Sequence, residues 1–80
     1  MQKYKNLGGK SAVESYRIKS DCILIKFKDN PYYYIYGQRR PGRQHVEQMK
    51  ALAQRGEGLN SFISSIVKEN YEGKDSTLPG

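Results

Sequence analysis

The clearest pattern in the chain runs from Cys22 to Lys28. Ile23, Ile25 and Phe27 fall on one side of an extended segment at period two, with Cys22, Leu24, Lys26 and Lys28 on the other. The first side is wholly apolar and predicts a strand facing a core. The second passes from apolar to cationic, so it is covered at one end and in water at the other. From Ser11 to Ile18 the alternation is less regular, with Val13, Tyr16 and Ile18 set among polar residues, and it predicts a strand joined to the first by the turn Lys19-Ser20-Asp21. Asp29-Asn30-Pro31 is again turn chemistry. Tyr32-Tyr33-Tyr34-Ile35-Tyr36 follows, dense in residue types that strands favour. Three strands with short turns predict an antiparallel meander.

Gly37 and Pro41-Gly42 break that pattern, and from about Arg43 the period lengthens. Val46, Met49, Leu52 and Ala53 form one helical stripe, which Gly56 ends. Leu59, Phe62, Ile63, Ile66 and Val67 form a second stripe, with Ser61, Ser64, Ser65 and Lys68 on its polar side. Residues 1–10 are polar, basic and glycine-containing, and predict a flexible arm. Residues 72–80 predict a disordered tail. The expected architecture of residues 11–71 is therefore α+β: a three-stranded antiparallel β-meander followed by two α-helices packed on one sheet face, βββαα. So few elements cannot bury both faces of the sheet, and one face stays open to solvent.

At 80 residues the chain has room for one domain. A domain this small buries only roughly 60% of the surface of its unfolded chain, so each apolar position in the stripes is needed. Cys22 is the single cysteine and His45 the single histidine. An intrachain disulfide is excluded, and a zinc site, which needs about four ligands, has no donor set. No metal and no cofactor is expected. Cys22 is expected to pack as a small hydrophobe, and His45 to lie solvated on the surface of a helix. The basic N-terminus lacks an apolar segment of a secretory signal, and no apolar run approaches the ~20 residues of a membrane span. These features predict a soluble cytoplasmic protein with no membrane partner. Gly8-Gly9-Lys10-Ser11 lacks the earlier glycine and the following helix of a phosphate-binding loop.

The charge is unevenly placed. Residues 1–67 carry 12 Lys and Arg against 5 Asp and Glu, and residues 68–80 carry 2 against 3. The cations concentrate at Lys3, Lys5 and Lys10, at Lys26 and Lys28, and in Arg39-Arg40-Pro41-Gly42-Arg43, directly after the tyrosine strand. An arginine-rich loop beside aromatic residues suits single-stranded nucleic acid, because bases stack on rings and guanidinium groups hold phosphates. Tyr34, Tyr36, Arg39, Arg40 and Arg43 are the candidate contacts, with Lys26 and Lys28 as peripheral phosphate contacts. The tyrosines have a structural reading too. Tyr32, Tyr34 and Tyr36 share one face and Tyr33 and Ile35 the other, and at least one set faces the helices; turn length does not fix which.

The order of these features resembles the KTSC domain. The matching residues are Ser11, Val13 and Tyr16, then Ile23, Ile25 and Phe27, then Tyr34-Ile35-Tyr36 as a Tyr-x-Tyr before a glycine. Gly56-Glu57-Gly58-Leu59-Asn60-Ser61-Phe62-Ile63 matches the glycine-containing turn into the second helix, and Tyr71 the terminal aromatic. The resemblance spans roughly residues 11–71. The chain departs from the family's pattern in a loop about one residue longer between Phe27 and Tyr34, and in Gln38-Arg39-Arg40-Pro41 where the family has Val-Pro. The family takes its name from a C-terminal segment of some lysyl-tRNA synthetases and also occurs as small stand-alone bacterial proteins. The resemblance implies a small α+β module, carries no catalytic signature and, through the synthetase context, suggests RNA.

Two functions are thus expected. One is a non-enzymatic module binding RNA or another single-stranded nucleic acid. The alternative is a protein-interaction or homodimerisation module that uses the open sheet face or an edge strand. Catalysis is not expected. Glu47 and Lys50 are a helical i,i+3 surface pair, and Tyr36 with His45 does not amount to a nucleophile and base.

Overall fold

A computed structural model describes residues 1–76. The sheet has five antiparallel strands in sequential order: β1 (Gln2–Lys3), β2 (Val13–Ile18), β3 (Cys22–Phe27), β4 (Tyr33–Gly37) and β5 (Gly73–Asp75). Helix α1 (Arg43–Arg55) and helix α2 (Leu59–Phe62) follow β4, and α2 continues into a π-helical turn over Ile63–Val67. The α+β class, the antiparallel sheet and the two helices agree with the sequence pattern. The three-strand count does not: β1 and β5 add a strand at each edge.

The two added strands come from segments expected to be without structure. Gln2 and Lys3 pair with Tyr16 and Ser15, and Tyr4 after them is only 2% exposed, so the expected arm supplies a strand and a core residue. At the other end Gly73, Lys74 and Asp75 pair with Ile35, Tyr34 and Tyr33, so part of the expected tail is sheet; residues 77–80 of that tail lie outside the described residues.

Register decides which side of each strand meets the helices, because residues directly opposite one another share a face. Tyr16, Ile25 and Tyr34 stand in one row, and Ile18, Ile23 and Tyr36 in the next. These rows carry the core with Val46, Met49 and Ala53 of α1, Leu59 of α2, and Ile63 and Val67 of the π turn. The opposite face carries Lys3, Ser15, Lys26, Tyr33 and Asp75 in one row and Arg17, Leu24, Ile35 and Gly73 in the next. Between Val13 and Ser15 the register shifts, leaving Glu14 as the extra residue of a β-bulge.

Helix ends follow the glycines. Gly56 takes φ 87°, and its N–H donates to the Leu52 carbonyl at 2.9 Å, ending α1. Gly58, with φ 85°, turns the chain into α2. The second stripe is not wholly buried. The i→i+5 bonding of the π turn keeps Val67 on the face of Ile63 and rotates Ile66 outward, leaving it 54% exposed.

Candidate nucleic-acid interface

The loop between β4 and α1 is pinched at its base. The Gly37 N–H donates to the Arg40 carbonyl at 2.7 Å and the Gly42 N–H to the Gly37 carbonyl at 3.1 Å. The intervening Gln38, Arg39 and Arg40 are exposed, and the Arg40–Pro41 peptide is cis. Glu72, just before β5, braces this loop from the side. Its N–H donates to the Ile35 carbonyl at 2.7 Å, and its carboxylate accepts the Arg39 N–H at 3.1 Å. Arg39, Arg40 and Glu72 line a surface cleft of about 340 Å³.

Arg43 opens α1. The cap residue Gly42 offers no side-chain acceptor, and the first turn holds no acid. The first amides of a helix lack intrahelical partners and carry partial positive charge, so this end of α1 adds to the charge of the loop. Arg39, Arg40 and Arg43 are all exposed, and none of the three makes an ion pair among the described residues. The cations Lys50 and Arg55 further along α1 are instead paired with Glu47 and Glu57, both at 3.1 Å.

The other expected contacts are placed differently. Tyr36 is 1% exposed and stands in the core row with Ile23, so no base can reach its ring, and its expected stacking role is corrected. Burial, and the phenol groups of Tyr71 and Tyr34 beside it, push its hydroxyl pKa well above the usual tyrosine value. Tyr34 is half-buried on the same face, wedged edge-on between Phe27 at 5.5 Å and Tyr71 at 4.9 Å. Lys26 is also engaged: its Nζ lies 3.3 Å from Glu14 and donates to the Phe27 carbonyl at 3.1 Å. It sits opposite Tyr33, four residues along β4 from Gly37, a separation of roughly 13 Å at the rise of a strand. Lys28 is exposed beyond it. Arg39 and Arg40 therefore share a cleft, Arg43 opens the helix that follows, and the two lysines lie at the other end of the sheet.

Residues not singled out as contacts frame the loop instead. His45, expected on the solvated side of a helix, is half-buried; its Nδ1–H donates to the Pro41 carbonyl at 3.3 Å, and its ring meets Phe62 edge-on at 6.0 Å. Tyr71 meets Tyr36 edge-on at 5.8 Å and immediately precedes Glu72. The signal for His45 was its place within a turn of Arg43; for Tyr71 it was only its match to the terminal aromatic of the KTSC resemblance. Cys22 is half-buried, and burial followed by the neighbouring Asp21 carboxylate raises its thiol pKa.

Among the described residues no group of three or more His, Cys, Asp or Glu could hold a metal ion, and no helix is long and apolar enough to cross a membrane. No protein-family model, curated protein or solved structure matches the chain.

Proposed function

We propose that this protein is a small non-enzymatic module that binds single-stranded nucleic acid, RNA in the first instance, through the arginine loop. One observation carries the reading: Arg39 and Arg40 line one cleft and Arg43 opens the helix that follows, all three exposed and without a side-chain ion pair among the described residues. Exposed guanidinium groups without ion-pair partners can each bond a phosphate bidentately. The KTSC resemblance belongs to the same proposal and points the same way.

Binding to a labelled single-stranded RNA across a salt series tests it. Log affinity falls linearly with log salt, by about 0.7 per neutralised phosphate for a single strand. Replacing Arg39, Arg40 and Arg43 by Ala is expected to flatten the slope by about 2. An unchanged slope removes the loop from the interface.

A second reading rests on the sheet face away from the helices. Leu24, 3% exposed, and the half-buried Ile35 lie at its centre, outside the helix-packed core cluster. Leu24 is already covered within the chain, so what a second copy laid on this face would cover is Ile35. A mass that rises with concentration in sedimentation, and stays monomeric for Ile35→Glu, is the expected result; a strict monomer over the micromolar range sets the reading aside.

A further inference from the structure

Electrostatic attraction alone would make the loop indifferent to the bases, but the rings beside it have the placement to read them as unpaired. His45 is tied to the loop by a hydrogen bond to the Pro41 carbonyl at 3.3 Å, and Tyr71 is the chain neighbour of Glu72, whose carboxylate accepts the Arg39 N–H at 3.1 Å. Both residues are half-buried, and each packs edge-on against aromatic neighbours. Their aromatic neighbours among the described residues meet them at 63° to 77°, so none lies parallel on either ring. Tyr32 offers less, although it is exposed, since the Lys74 ammonium already sits 4.7 Å from its ring centroid.

We propose that His45 and Tyr71 form a stacking rim for the unpaired bases of a single strand whose phosphates lie against Arg39 and Arg40. This rests on the nucleic-acid reading and sharpens it. Because bases in a duplex already stack on one another, the rim selects single strands over duplexes. Because every base has a π-face, it does so with little sequence preference.

The test compares a short oligothymidylate with an abasic strand of the same length and charge, both titrated into the wild-type protein at one salt concentration. Stacking supports about tenfold tighter binding of the base-containing strand. His45→Ala and Tyr71→Leu are each expected to shrink that ratio severalfold while leaving the salt slope unchanged. Should Tyr71→Leu fail to fold, His45→Ala carries this arm, since its ring is only half-buried. Equal, salt-dependent binding of the two strands overturns the rim and leaves the arginine reading standing. A ratio that survives both substitutions also overturns it, since the bases then stack elsewhere. If neither strand binds at low salt, the rim and the arginine reading fall together.

Discussion

Lys68 shows how one residue can hold an unfavourable conformation in a fold this small. It follows the π turn at φ 50° and ψ −122°, and the Asn70 N–H donates to the Val67 carbonyl at 2.8 Å. These dihedrals and that i→i+3 bond match the first central position of a type II′ turn, where glycine is favoured. A non-glycine residue held there costs of order 1–3 kcal/mol, and the greater freedom of glycine in the unfolded chain returns about 0.4–1 of it. Lys68 is exposed, so replacing it removes no packing. Lys68→Gly is therefore expected to stabilise the protein by about 1 kcal/mol, raising the melting temperature by roughly 4–8 °C for a domain of this size. A thermal melt checks this, and a lower midpoint would refute the turn assignment. Asn6 and Asp29, also at positive φ, are residue types that tolerate it.

Between elements, the arginine loop owes its position to a contact no sequence pattern announces. The Glu72 carboxylate lies where a Cβ on Gly37 would stand, so the missing side chain of Gly37 makes room for the brace on Arg39. Gly37→Ala would push the carboxylate aside and free the Arg39 amide, a loss of about 1 kcal/mol for a hydrogen bond to a charged group near the surface. Glu72→Ala removes the same bond by the other route. A double-mutant cycle in urea should find the pair non-additive, with the double variant no less stable than either single one. Strict additivity would show that the brace contributes nothing. The core side of β3 and the stripe of α1 were legible because each repeats a period several times, as Ile23, Ile25 and Phe27 do, and then Val46, Met49 and Ala53. The face taken by Tyr34 and Tyr36 was not, because it follows from their pairing with Ile25 and Ile23 across the sheet. The swing of Ile66 into solvent likewise depends on a change of helical bonding at Ile63, which a regular 3.6-residue stripe does not foresee.

At the scale of the whole molecule, the ends of the described chain supply the two edge strands of the sheet. β1 and β5 are two and three residues long and polar, too short to show any period, and they hold their places by pairing with β2 and β4. For the candidate site this means that the arginines were legible as a charge cluster, whereas the rings and the carboxylate that frame them are brought in from positions 45, 71 and 72 by the fold. The N-terminal edge is the more consequential. Tyr4 is part of the core cluster, its hydroxyl accepts the Leu59 N–H at 3.3 Å at the start of α2, and the Leu7 N–H donates to the Gly56 carbonyl at 2.7 Å at the end of α1. A segment that reads as a solvated arm thus anchors the turn between the two helices. Truncating a buried large aromatic to Ala costs about 3–5 kcal/mol, against a total stability of roughly 4–12 kcal/mol for a chain of this length. Tyr4→Ala is therefore expected to remove a large share of the stability, seen as a much lower urea midpoint with an unchanged slope. Tyr4→Phe keeps the packing and removes only the acceptor for the Leu59 N–H, for about 1 kcal/mol. The order matters more than either size. A Tyr4→Ala variant as stable as the wild type would return residues 1–10 to the solvent and leave the helix turn to hold itself.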